Sequence, residues 1–509
     1  MVVEESANRL AKKQDFIHIA ILLVVALSIG VYLIATTILI AQDGVSYINY
    51  AKGLAATPLK IIRDCSEYAP RAYTPGYPFL ILMTHKLVDV FGDGSTVSSW
   101  VYSAQAINLL CRILALIPLY LIGKEFVDRK LSFWAILILV MLPYPARMGS
   151  DVLRDWAHML FLATGFLLLL RAAKSGKGLL FCLAGLIAGF GYTIRPVCAQ
   201  LIVYGIFWLI LALFIQKVRG NMSRAKLAAG LTLLIIGFTI VAAPYMKIRG
   251  EFLPLRLQQI MESFSSYFVH SGPQEQNISG YAAKLVPSDI TKAFGKLANR
   301  ILENLMYYFA PALFIGMYYH FRRKTKSVST FFITAFVLAN IIMVILRYHV
   351  SPFLSRRYIL PLITFTIFFV PLGLQIMSRW VVKVFSKGVN QHEALQSESR
   401  RWFFVLLIIG LAICVPKLFR PIRIEKKGYR LAAQWLKENS RKGDIIVVPD
   451  ERISFYAERK GIRRVGKSAR YIVKRLKDEE EPPAGMIKMW SSYLNDREKK
   501  DKVVIYKRK

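Results

Sequence analysis

Acidic side chains are scarce in this sequence. Asp and Glu number 32 against 68 Lys and Arg, a formal charge of +36 over 509 residues. Cysteine and histidine are scarcer still, at five and seven. Cys65, Cys111, Cys182, Cys198 and Cys414 show no CxxC or metal-ligand spacing, and most fall in apolar stretches where cysteine packs as a small hydrophobe. That excludes a disulfide framework, and the lack of a His/Cys cluster argues against structural zinc. No repeat at a solenoid period is present, and the two halves of the chain are unrelated, which weighs against repeat arrays and inverted-repeat transporters.

Long stretches lack charge altogether. Hydrophobic residues make up 55% of the chain, and its mean hydropathy is positive. A soluble protein of this length would split into several domains with one-sided amphipathic helices, whereas here the apolar residues come in blocks. Residues 16–41 hold no charge, enough to cross a hydrocarbon core of about 30 Å at about 1.5 Å per residue. Similar blocks recur near 98–122, 131–146, 155–170, 178–194, 196–215, 227–246, 301–319, 328–346, 358–377 and 402–419. The pattern predicts an all-α polytopic membrane protein with about eleven transmembrane helices. The first block is too long for a signal-peptide core and ends Leu39-Ile40-Ala41-Gln42-Asp43 without a small-x-small cleavage site, so it reads as an uncleaved anchor.

In a soluble protein the basic excess would suggest nucleic acid. In a polytopic one, Lys and Arg collect on the cytoplasmic side and set orientation. With the N-terminus (Arg9, Lys12, Lys13) inside, it and the loops near 124–130, 171–177, 217–226, 322–326 and 379–401 carry about 22 Lys and Arg. The short outside turns carry about six: Arg147, Arg154, Arg195, Arg347, Arg356 and Arg357. No nucleic-acid partner is expected. The bias places the segment after the first helix, the long 248–300 loop and the C-terminal tail outside.

That first outside segment, 42–96, is more than a connector. Tyr47, Ile48, Ala51, Leu54 and Ala55 share one helical face, which predicts a short helix lying at the membrane interface. Pro75-Gly76-Tyr77-Pro78 opens another apolar helix, to about residue 91, too short to span. From about Pro421 the chain is hydrophilic and reads as a small soluble α/β domain, 421–509, appended to the membrane domain 1–420. Helices are expected over 428–439 and 453–459, and strands over 444–448 and 503–506.

Ionisable groups at the outer ends of membrane helices are costly unless paired or solvated, which makes them functional candidates. Asp43 follows the first helix and opens the interfacial one; it can act as a helix cap or as a general base facing the outer leaflet. Asp151 and Asp155, one turn apart, either complement a helix N-terminus or supply second acidic sites. Together such carboxylates could hold a divalent cation through oxygen ligands. Arg71, Arg195 and Arg357 run against the inside bias, and a guanidinium fork suits phosphate oxygens. A carboxylate base beside a phosphate clamp is what sugar transfer from a lipid-phosphate donor requires.

Several local motifs resemble the polytopic lipid-phosphosugar-dependent glycosyltransferases of the GT-C fold, among them glycosyltransferase family 39 (protein O-mannosyltransferases) and the lipid A aminoarabinose transferases. The matching residues are Asp43-Gly44-x-x-Tyr47, Arg71-x-x-x-Pro75-Gly76-Tyr77-Pro78, Val152-Leu153-Arg154-Asp155, the Gly191-to-Pro196 turn and Arg357-Tyr358-x-x-Pro361. Their order holds over roughly 15–380. The resemblance implies an inverting enzyme with a polyprenyl-phosphate sugar donor and Asp43 as base. It also implies Asp155, or Asp151, as a second acidic position, and Arg71, Arg195 and Arg357 at the donor phosphate. Tyr47, Tyr77 and Tyr358 would line the substrate. The acceptor would be a lipid, a glycan or a protein; a single Asp in the first loop, where many protein O-mannosyltransferases have an adjacent acidic pair, weakens the protein option. No eukaryotic retention signal is visible, so the expected home is a bacterial cytoplasmic membrane. The competing readings are a surface-polysaccharide ligase or polymerase using lipid-diphosphate donors, and a lipid or solute transporter.

Overall fold

A computed structural model describes residues 2–70, 72–92, 94–219, 222–250, 258, 287–322, 328–350, 353–385, 392–463, 469–477 and 485–508. Most of them are helical. Among the described residues, seven helices are long and apolar enough to cross a membrane: Lys12–Ala35, Val97–Gly123, Asp155–Ser175, Pro196–Phe214, Arg224–Arg249, Val328–Tyr348 and Leu395–Leu418. Two bent pairs raise that number to nine. Arg129–Met141 turns by 69° into Pro143–Gly149, and Arg356–Thr366 by 65° into Phe369–Val384. At the first bend Leu142 is extended before Pro143, as a residue preceding proline must be. Gly178–Ile194 is a shorter apolar helix.

All eleven apolar blocks therefore contain helix, but not eleven straight spans. The 301–319 block is the clearest departure: its helix stops at Asn304 and a new one begins at Phe309. Between them Met306 and Tyr307 take left-handed backbone angles that uninterrupted helix cannot accommodate. The interfacial helix also differs from expectation. It runs Gln42–Ala56 with Tyr47, Ile48, Ala51 and Leu54 buried, but Ala55 is exposed. Its apolar stripe packs on protein rather than lying against lipid, in a cluster with Ile81, Ala104, Val152 and Ile194. The following helix, Gly76–Phe91, lies against it and keeps Phe79, Leu87 and Val90 exposed.

The ion pairs sort to two ends of the bundle. Asp15 with Lys124 and Arg129, and Glu125 with Lys174, lie at one end of the Val97–Gly123 helix. The other end gathers Asp43, Asp151, Asp155 and Glu303, each against arginine.

The C-terminal part forms five strands, β1 (Ile445–Val447), β2 (Lys460–Ile462), β3 (Tyr471–Leu476), β4 (Met486–Tyr493) and β5 (Lys502–Arg508), in the order β2-β1-β3-β5-β4. β1 is parallel to β2 and β3; the β3–β5–β4 edge is antiparallel. Helices Lys427–Asn439 and Glu451–Ala457 share a core with it through Leu436, Ile453, Tyr471 and Ile505. Both expected helices and both expected strands are present. β2 is too short to show a period, β3 reads Tyr-Ile-Val-Lys-Arg-Leu with charge inside it, and β4 has no buried residue, so none of the three carries a clean apolar alternation.

Within the membrane part, the Phe309–Arg322 and Phe369–Phe385 helices cross at glycines. A Cβ on Gly373 would lie 1.8 Å from the Ala312 carbonyl oxygen, and one on Gly316 would lie 1.9 Å from that of Phe369. Small residues there let the backbones touch, the usual basis of close helix packing in lipid. Gly373→Val is expected to force this crossing apart and to cost about 1–3 kcal/mol or more. Gly443→Val, where a Cβ meets nothing within 4 Å, should leave stability unchanged. Thermal unfolding in detergent checks both, and equal midpoints would contradict the crossing.

Candidate functional site

Asp43 is the second residue of the Gln42–Ala56 helix, whose N-cap, Ala41, has no capping side chain. The carboxylate does not cap. Instead its Oδ2 accepts from Arg357 Nη1 at 2.6 Å, and the Tyr73 hydroxyl also hydrogen-bonds to it. Gly44 lets the helix approach Val152, whose Cβ would sit 2.8 Å from any Cβ added there. Burial by itself would raise the Asp43 pKa, but the Arg357 charge and hydrogen bond, with Tyr73 and Arg154, hold it below the usual carboxylate range. The Tyr73 phenol is pushed well up by burial and by the neighbouring Tyr47 and Asp43, so it stays a donor.

Arg357 enters on a short 3-10 turn, Arg356–Ile359, ahead of Pro361. Asp155 opens the Asp155–Ser175 helix, and its Oδ1 accepts from Arg195 Nη1 at 3.0 Å. Arg195 ends the Gly178–Ile194 helix in an extended conformation just before Pro196. Tyr358 joins the two sides: Arg195 lies 5.6 Å and Arg347 3.8 Å from its ring centre, and Arg347 Nη2 donates to its hydroxyl at 2.6 Å. Arg154 lies over Tyr47 and Tyr73 at 5.8 and 5.4 Å, and donates to Thr74 Oγ1 and the Ile194 carbonyl. The result is a half-buried cluster in which the guanidinium groups of Arg154, Arg195, Arg347 and Arg357 outnumber the carboxylates of Asp43 and Asp155. Among the described residues, these groups leave an excess of positive charge.

The sequence candidates fare unequally. Asp43, Asp155, Arg195, Arg357, Tyr47 and Tyr358 come together. Arg71 lies outside the described residues, as does most of the 248–300 loop. Asp151 belongs to a different assembly. At 3% exposure, its Oδ1 accepts the Ala41 and Val152 amides, both at 2.8 Å, and its Oδ2 pairs with Arg423. With its oxygens so engaged, it braces backbone. Tyr77 is fully buried, edge-on to Tyr47, and donates to the Ala104 carbonyl at 3.3 Å, so it supports the site from behind. Among the described residues no three His, Cys, Asp or Glu side chains lie close enough together to hold a metal ion.

Tyr73, Arg154 and Arg347 were not singled out as site residues from the sequence. Tyr73 stands between Arg71 and Pro75 in a matched motif, and Arg154 precedes Asp155, so adjacency was the available signal. Arg347 gave only its position against the charge bias. The Arg195–Asp155 pair is nearly enclosed, and removing one partner of such a pair costs about 3–5 kcal/mol. Arg195→Gln is expected to destabilise the protein on that scale. Adding Asp155→Asn should restore most of the loss, and unfolding of the single and double variants in detergent checks this.

Residues 74–242 match the family described as dolichyl-phosphate-mannose-protein mannosyltransferase. That stretch includes Arg154, Asp155 and Arg195. No protein of curated function matches the sequence. Among solved structures, ArnT from Cupriavidus metallidurans bound to undecaprenyl phosphate superposes with a TM-score of 0.55 at 12% identity, covering 96% of this chain and 97% of that one. The archaeal oligosaccharyltransferase AglB from Archaeoglobus fulgidus, in complex with an inhibitory peptide and a dolichol-phosphate, superposes with a TM-score of 0.56 at 11% identity, over 91% of this chain and 69% of that one. At such identity the structures speak to the fold, while the family match speaks to the residues around Asp155. The chain as a whole therefore has the GT-C fold of these membrane proteins, and its 74–242 stretch resembles a glycosyltransferase family.

Proposed function

We propose that the protein moves a sugar from a polyprenyl-phosphate donor to a hydroxyl or amine of a lipid, glycan or protein acceptor, with inversion, at the outer face of a bacterial cytoplasmic membrane. The observation that carries the reading is Asp43, a half-buried carboxylate paired with Arg357 among several arginines at one end of a helical bundle. The family description names a lipid-phosphate sugar donor, and two structures of the same fold hold a polyprenyl phosphate, which supports the donor class. In the proposed step Asp43 takes the acceptor's proton as the acceptor atom attacks the anomeric carbon. The bond from that carbon to the phosphate oxygen breaks, and its electron pair leaves with the lipid phosphate. Arg195 and Arg357, with Arg154 and Arg347, stabilise the charge that develops there. Tyr358 forms an aromatic wall of the site, and the buried Tyr47 supports Arg154 from beneath. With the N-terminus in the cytoplasm, as the basic loops favour, the site and the C-terminal domain face outward.

Asp43→Asn is expected to lower kcat about 100- to 10,000-fold while leaving membrane insertion and thermal stability intact. Near-normal transfer by that variant would overturn the base assignment. Purified polyprenyl-phosphate sugars, offered one at a time, provide the assay. Turnover only with diphosphate-linked oligosaccharides would favour a ligase, and transmembrane movement of substrate without glycosylation a transporter.

The pH dependence has a definite sign. A base with a depressed pKa stays deprotonated through the ordinary carboxylate range near pH ~4 and is lost only as pH falls through the depressed value. The acid limb of kcat/KM should therefore lie below that range. Arg357→Gln leaves the cost of burying Asp43 less compensated, so the limb should shift to higher pH. An unmoved limb would contradict the pairing.

A further inference from the structure

The link between the first membrane helix and the Asp43 helix is held by distant parts of the chain. The Ile38 amide donates to the Ile422 carbonyl at 3.1 Å. The Leu39 carbonyl accepts from Arg423 Nη1 at 3.3 Å. The Ile40 amide donates to the Tyr456 hydroxyl at 3.3 Å, and its carbonyl accepts from Arg452 Nη1 at 3.2 Å. The Ala41 amide donates to Asp151, which Arg423 pairs from its other oxygen. Four consecutive residues thus have backbone groups bonded to side chains or backbone more than a hundred positions away.

The clasp is itself rigid. Arg452 is 2% exposed and locked by a two-pronged pair with Asp450, its Nε lying 2.8 Å from Oδ1. Leu39 is fully buried in the core of the C-terminal domain, with Tyr429, Ile453 and Val503. Ile40, pointing the other way, is fully buried in the first-loop core with Tyr47 and Ile81. Consecutive residues of the link are therefore threaded into two different cores. Asp43 lies only two residues beyond Ala41, whereas its partner Arg357 comes from the membrane bundle. A shift of the link moves the carboxylate and leaves the guanidinium behind.

We propose that the C-terminal domain is a positioning element of the transfer site: Tyr456 and Arg452, with Arg423 at the domain's entry, fix the 38–41 backbone and thereby hold Asp43 in register with Arg357. The proposal rests on the reading of Asp43 as the base. It gives the appended domain a catalytic purpose without requiring it to touch substrate.

The test uses the full-length protein carrying Tyr456→Phe and Arg423→Asn, singly and together. Phe keeps the ring and removes only the acceptor oxygen. Asn tolerates the left-handed backbone of residue 423. Amide exchange over 36–43 is expected to accelerate in the double variant, while β3 and β5 keep their protection. Misplacing a catalytic group by about 1 Å costs about 100-fold, so kcat should fall about 10- to 100-fold with donor KM within about twofold. The acid limb of kcat/KM should move to higher pH as the Asp43–Arg357 pair loosens. If β3 and β5 lose protection too, the Arg423→Asn single variant, outside the domain core, decides. Unchanged exchange over 36–43 overturns the clasp. Accelerated exchange with kcat within twofold overturns its link to catalysis. Full transfer by Asp43→Asn would remove the base reading, and the exchange measurement would then report a purely structural tether.

Discussion

The site depends on one contact, the 2.6 Å ion pair between Asp43 and Arg357, residues 314 positions apart. For a half-buried carboxylate at the end of a membrane bundle, desolvation favours the neutral form. The guanidinium reverses that balance and keeps the oxygen a base. Both partners are about a quarter to a third exposed, so the pair is open enough to exchange partners with an incoming substrate. A fully enclosed pair such as Arg452–Asp450 has no such freedom and serves as architecture.

The architecture around the pair explains the breaks in the helices. Arg357 reaches Asp43 because its 3-10 turn and the 65° bend beyond it carry the chain across the end of the bundle instead of straight through. Arg195 reaches Asp155 because the Gly178–Ile194 helix stops one residue before Pro196. On uninterrupted spans these side chains would project sideways from the helix axes rather than across the end of the bundle. The interruptions that lower the number of clean crossings below eleven thus include those that assemble the site.

The sequence made the scaffold legible because lipid imposes a strong one-dimensional signal: a spanning helix must be long and apolar. It also exposed Asp43, Asp155, Arg195 and Arg357, since acids are rare and outer arginines oppose the charge bias. What a linear pattern does not encode is who meets whom. Asp151 and Asp155 look alike in sequence, yet one braces the Ala41 amide and the other faces Arg195. Tyr47 and Tyr77 look alike in sequence, and packing buries both, with Tyr77 edge-on to Tyr47 and only Tyr47 lying against Arg154. Tyr73 and Arg347 gave little sign because their roles exist only through partners on other segments. The strands β2 to β4 were hidden for a related reason: a small domain that covers only part of its sheet leaves charge within the strands and blurs the alternation.

These distinctions bear on how the positive cluster is tolerated. Guanidinium groups gathered this closely repel one another, and among the described residues the Tyr47, Tyr73 and Tyr358 rings lie against them and offset part of that cost. An arriving phosphate would remove that cost as well as making its own hydrogen bonds, so it gains more here than at a neutral site. The same excess keeps Asp43 deprotonated before any substrate arrives. In the proposed reaction, the lipid phosphate left after the sugar departs would carry more negative charge than the phosphodiester did, and the arginines would hold it more tightly. On this argument the electrostatics that favour bond breaking also retain the product, so the chemical step and product release make opposing demands on the cluster.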